Sequence, residues 1–116
     1  MEKILTIGGK QVGFRASARM PRLYRNVIGR DIMRDLNQLQ KSFQKAKDEG
    51  DQLQAIDLEI FENAAWCMAK LYDKNIPDSP DDWLDQFDTF SIYEILPQIL
   101  ELWAINQRTT STPKNA

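Results

Sequence analysis

Apolar residues recur through residues 51–75 at the three- and four-residue steps of a helix, and they do so on two faces at once. Leu53, Ile56, Ile60, Ala64, Cys67 and Leu71 form one stripe, and Leu58, Phe61, Ala65, Met68, Ala69 and Tyr72 form a second. Few outward positions remain for Asp57, Glu59, Glu62, Lys70 and Asp73. A helix apolar over so much of its girth is buried by neighbours on at least two sides, so this segment reads as the spine of a small helical domain. Asp51 is its expected cap, and the prolines of Asn75-Ile-Pro-Asp-Ser-Pro80 end it.

Upstream, two short β-prone runs flank Gly8-Gly9, which is a hairpin signal over about residues 3–15. Val12 and Phe14 share a side of the second strand, with Ile4 as the expected partner. Pro21 suits the first turn of a short helix that buries Leu23, Tyr24, Val27 and Ile28 and closes at Gly29. Asp31 can cap a longer helix whose Ile32, Leu36, Leu39, Phe43 and Ala46 lie on one face. Downstream, Ser79-Pro80-Asp81-Asp82 starts a short helix carrying Trp83, Leu84 and Phe87. Ser91 with Glu94, and Phe90 with Ile95, have the spacings of a capping box and a hydrophobic staple, which start the last helix at Ile92. Pro97 then falls past the first turn and should kink it. The expected fold is mainly α: a single-domain bundle of four or five helices with an N-terminal hairpin. It spans residues 1–108, followed by a disordered polar tail over 109–116.

Composition narrows the chemistry. At 116 residues, with 42% hydrophobic and 28% charged residues, the chain is ordinary for one globular domain. It has one cysteine, Cys67, and no histidine, which excludes an internal disulfide and the usual zinc ligand sets. No run is apolar enough for a membrane span or a signal core, so no membrane association is expected. Gly8-Gly9 lacks the context of a phosphate loop, and Asp81, Asp82, Asp85 and Asp88 lack the spacing of a calcium loop. Cys67 has no base to activate it. No catalytic residue, metal or cofactor is expected.

Charge is unevenly placed. Residues 1–47 hold 11 Lys and Arg against 3 acids, whereas residues 48–116 hold 4 against 14. Packing of the two segments with solvated faces explains this simply, and charged partners explain it more sharply. Arg15, Arg19, Arg22, Arg25, Arg30 and Arg34 could contact phosphates, and the helix–Gly29–helix order has the outline of a helix-turn-helix. A DNA-binding regulator using the Arg15–Arg34 segment is therefore the alternative reading. The acidic balance of the whole chain argues against it, so no nucleic-acid partner is expected.

Several runs carry a resemblance. They are Phe14-Arg-Ala-Ser-Ala-Arg-Met-Pro-Arg-Leu-Tyr-Arg, Gly29-Arg-Asp-Ile, Phe61-Glu-Asn-Ala-Ala-Trp-Cys-Met-Ala-Lys, Asp82-Trp-Leu-Asp-Gln-Phe and Phe90-Ser-Ile-Tyr-Glu-Ile-Leu-Pro-Gln-Ile-Leu-Glu-Leu-Trp. In this order, over roughly residues 10–105, the chain resembles the tail assembly chaperones of long-tailed phages and prophages of Gram-positive bacteria. The resemblance implies a non-enzymatic factor of the host bacterial cytoplasm, absent from the mature virion. Its implied client is the tape measure protein, which it keeps soluble. A frameshift-extended form is implied to recruit tail tube protein, and self-association is expected.

The last two helices carry more aromatic surface than one face against the spine requires. Trp83, Phe87, Tyr93 and Trp103 are therefore the expected client-binding residues, with Arg19, Arg22 and Arg25 as a second contact set. A polar-rimmed apolar groove that accepts an amphipathic helix is the expected mode.

Overall fold

The structure is a computed structural model that describes residues 1–88 and 91–111, with side chains up to Ala104. Strands β1 (Glu2–Ile7) and β2 (Lys10–Arg15) form an antiparallel hairpin. Gly8 and Gly9 both have positive φ, 55° and 85°, so the two-residue turn matches the right-handed twist of the strands. That turn sets the register: Ile7 faces Lys10, Leu5 faces Val12 and Lys3 faces Phe14. Leu5, not Ile4, is thus the partner of Val12. Ile4 pairs with Gly13 on the opposite face and is 58% exposed. Alternation along a strand makes a one-residue error in partner an error of face.

Helices α1 (Met20–Ile28), α2 (Ile32–Glu49), α3 (Ala55–Tyr72), α4 (Pro80–Leu84) and α5 (Leu96–Ser111) follow. The fold is mainly helical with an N-terminal hairpin, as its pattern implies. In α1, Met20 and Tyr24 are buried and Leu23 and Ile28 are partly buried against the core, but Val27, expected on the buried side, is exposed. Asp31 caps α2, its carboxylate accepting from the Met33 N–H at 2.9 Å. Ile32, Leu36 and Leu39 are buried, whereas Phe43 and Ala46 are only half-buried.

The spine is α3, which packs against β2, α1, α2 and α4. It is shorter than its apolar pattern at the N-terminal end. Gln54, not Asp51, is the cap, and Asp57 returns a carboxylate to the Gln54 N–H at 3.3 Å. Asp57 is buried rather than outward, and also accepts from Ser42 at 3.2 Å and Gln38 at 3.4 Å. Ile56 is consequently exposed at the frayed edge of its stripe, as is Tyr72 at the other end. Trp66, on neither stripe, is fully buried, and its indole N–H is satisfied by donating to the Pro77 carbonyl at 2.8 Å. One turn on, Lys70 donates to the carbonyls of Lys74 (2.9 Å) and Ile76 (2.6 Å) and to Asp78 (2.7 Å). These two side chains hold the loop between α3 and α4.

Ser79 caps α4 by accepting from the Asp82 N–H at 3.2 Å. The last helix departs from expectation. Ser91–Ile95 form a 3₁₀ turn, and Ser91 donates to the Asp88 carbonyl at 3.1 Å instead of closing a capping box. Phe90, the other half of the expected staple, lies outside the described residues. Because α5 starts at Leu96, Pro97 is its second residue, where no intrahelical N–H is needed, and the expected kink has no cause. The backbone of α5 continues to Ser111, past the expected start of the tail at 109; residues 112–116 lie outside the described residues.

Candidate functional site

Length alone prepares a groove. At 1.5 Å per residue, the 18 residues of α2 span about 27 Å and the 9 residues of α1 about 14 Å. Helix α2 packs most against α3 and less against α1, and α5 meets α2 only partly. Between α2 and α5 lie two adjoining hollows that share Phe43 and Lys47.

The first hollow, of about 480 Å³, has a floor of Phe43, Leu53, Leu58, Tyr93 and Leu96. The second, of about 530 Å³, continues along Pro97, Leu100 and Ala104. Phe43 stands at the middle with its ring half-covered, and the Lys47 ammonium lies 5.8 Å from the ring centre. Tyr93 is held by its ring contact with Phe61, 6.0 Å between centroids, and by a short hydrogen bond that its hydroxyl donates to Glu62. That bond, with burial, pushes the Tyr93 phenol up to about 12, so it remains a donor at neutral pH. Lys41, Gln44 and Lys47 rim the α2 bank, and Glu101 stands on the α5 bank. Glu101 accepts from the Lys3 ammonium at 2.7 Å, which lowers its carboxyl from the ordinary value.

The expected anchors are divided by the fold. Trp83 is fully buried against Phe14 (6.3 Å, edge to face) and Phe87 (5.1 Å), and Trp103 is 2% exposed. Both tryptophans are core. Their indole N–H groups, with the Gln98 side-chain oxygen, are buried without a hydrogen-bond partner among the described residues. Phe87 is half-buried but belongs to a different cavity, of about 360 Å³, between the hairpin and the α3–α4 region. Lys10 spans that cavity by donating to the Gln86 carbonyl at 3.1 Å and lying 5.7 Å from the Phe87 ring centre. Of the four aromatics, only Tyr93 lines the groove. Arg19, Arg22 and Arg25 are exposed on or beside α1 and do not line it.

The residues missed by sequence reasoning are Phe43, Leu53 and Leu58. Their apolar periodicity reads as core, and nothing in periodicity tells a covered position from a half-covered one. The unequal lengths of α1 and α2 are the available signal.

No three acidic, cysteine or histidine side chains gather into a metal site among the described residues, and no helix there is long and apolar enough to cross a membrane. Burial pushes the Cys67 thiol up to about 12, the reverse of what a nucleophile needs. Comparisons with protein-family models, with curated proteins and with solved structures return no match.

Proposed function

We propose that this chain is a non-enzymatic tail assembly chaperone, acting in the host cytoplasm, that holds a helical segment of the tape measure protein in the groove between α2 and α5. The observation that carries the reading is the groove itself: an apolar floor centred on half-covered Phe43, open along its length and rimmed by polar side chains. An amphipathic helix fits such a surface, and a long helical protein awaiting assembly presents many such segments. The sequence resemblance supplies the identity of the client and the recruitment of tail tube protein by a longer form. Self-association belongs to the same reading, since each strand of the two-stranded sheet pairs on one edge only.

The test is co-expression with the neighbouring tape measure gene. The parent chain should keep tape measure protein in the soluble fraction. Phe43→Asp, which places a charge on a half-exposed site, should lose that capacity while retaining a cooperative thermal transition. The proposal fails if parent and variant hold the client equally, or if the parent does not hold it. A parent that instead retards duplex DNA in a mobility-shift assay would move the function to the arginine segment.

A further inference from the structure

Away from the groove, two exposed helix faces carry opposite charge. Helix α1 holds no acidic residue, and its Arg22 and Arg25 are exposed on the side away from the buried Met20 and Tyr24. Three positions apart, they point about 60° from one another around the axis, with the exposed Arg19 a turn earlier. The acids around α1 are occupied or turned elsewhere. Glu2 pairs with Arg15 at 3.8 Å, Asp35 pairs with Arg30 at 2.8 Å, Asp31 caps α2, and Glu59 lines a hollow with Val27 and Arg30. On α4 the sign is reversed. Asp81 and Asp85, four positions apart and about 40° around the axis, are exposed on the side away from buried Trp83, with Asp82 and Asp88 exposed beside them. Of the bases nearby, Lys70 pairs with Asp78 at 2.7 Å, Lys10 donates to the Gln86 carbonyl, and Lys74 is exposed. The ion pairs among the described residues are those of Lys3, Arg15, Arg30 and Lys70, so neither the α1 arginines nor these four aspartates take part in one.

From this complementarity we infer that α1 of one copy docks on α4 of a second copy, with Arg22 and Arg25 meeting Asp81 and Asp85. The spacings agree: the arginines are separated by roughly 4.5 Å along α1 and the aspartates by roughly 6 Å along α4. Arginine is the suitable cation, because its planar fork of donors matches a carboxylate edge to edge. The two surfaces are different, so the contact is heterologous and leaves one face of each kind free for a further copy until a ring closes. This contact deepens the self-association of the chaperone reading. It shares no residue with the client groove, and it differs from pairing at the strand edges, which main-chain hydrogen bonds would drive without regard to these charges.

Charge reversal on the full chain, followed by light scattering, tests this. The parent should assemble at low salt and do so less in about 0.5 M salt, where charges are screened beyond a few ångströms. R22E/R25E and D81K/D85K should each raise the concentration at which assembly begins by about tenfold. An equimolar mixture of the two variants should assemble again, because the glutamates of one meet the lysines of the other and the remaining native faces pair. The quadruple variant R22E/R25E/D81K/D85K should assemble alone. Recovery in these two samples also shows that the double variants fold. Assembly of either double variant as readily as the parent, a mixture that stays monomeric, or a parent monomeric at low salt would each overturn the inference. A parent that is monomeric at low salt and retards duplex DNA would overturn it in favour of a polyanion on α1. Client solubilisation separates this contact from the function. A parent that shows the charge-reversal pattern without holding tape measure protein refutes the client and leaves the contact standing, whereas a parent that holds the client without the pattern refutes the contact alone.

Discussion

Replacing Asp35 by Ala removes the polar hinge between α1 and α2. Asp35 is 1% exposed and accepts three hydrogen bonds: from the Tyr24 hydroxyl at 2.8 Å, and from the Arg30 Nε and Nη2 at 2.8 and 2.9 Å. The Tyr24 bond is buried and ends on a carboxylate, so losing it and stranding the hydroxyl costs about 1.5–3 kcal/mol. The Arg30 side chain is half exposed, so solvent screens its pair and the buried Tyr24 bond carries most of the effect. Asp35→Ala should therefore destabilise by about 2–4 kcal/mol. At a urea slope of about 2 kcal/mol per molar, the midpoint drops by about 1–2 M. Tyr24→Phe leaves Asp35 with Arg30 and should cost about 1–2 kcal/mol. The double variant should cost less than the two singles combined, because no hydroxyl is then stranded.

The same cluster sets an acid limb. Burial pushes the Asp35 carboxyl up, but the bonds from Arg30 and Tyr24 and the charges of Arg30 and Arg34 outweigh it and hold the group below the ordinary 3.8. A depressed folded value means the contribution is complete above the unfolded value and is lost as pH falls through the folded one. The parent should lose stability below about pH 4 more steeply than Asp35→Ala. Midpoints of both single variants within about 0.2 M of the parent, together with unchanged acid limbs, would refute the reasoning.

Four other outcomes are expected. A Cβ on Gly13 would come within 2.2 Å of the Tyr72 ring, so Gly13→Ala should lower the melting temperature, and Tyr72→Ala should restore part of the loss because that ring is 40% exposed and can be removed at small expense. Phe61→Ala, at a fully buried spine position, should destabilise by about 3–5 kcal/mol in urea unfolding. Cys67, buried and with its thiol raised to about 12, should resist a thiol reagent in buffer and react stoichiometrically in denaturant. Light scattering should report assemblies larger than a monomer at high concentration, and a monomer at every concentration in low and high salt would count against self-association through the free strand edges.

Local chemistry determined most of the elements. The Gly8-Gly9 turn, the Asp31 and Ser79 caps, and the two apolar stripes of α3 act over a few residues, so each can be read without knowing what lies across the fold. Errors begin where a position has two local solutions. Pro97 suits either a kinked interior or a first turn, and the 3₁₀ turn at Ser91–Ile95 decided for the first turn by displacing the start of α5. Asp57 suits either a solvated face or a cap, and the approach of Ser42 and Gln38 decided for the cap.

What only the tertiary structure decided is which apolar side chains are finished by neighbours and which are left half-covered. Trp83 and Trp103 have the composition of binding anchors, yet the hairpin and the bundle enclose them, while Phe43, Leu53 and Leu58 have the periodicity of core and remain at a surface. Periodicity specifies a side of a helix. Coverage depends on the lengths and crossing points of separate helices, which are set by packing between residues far apart in the chain.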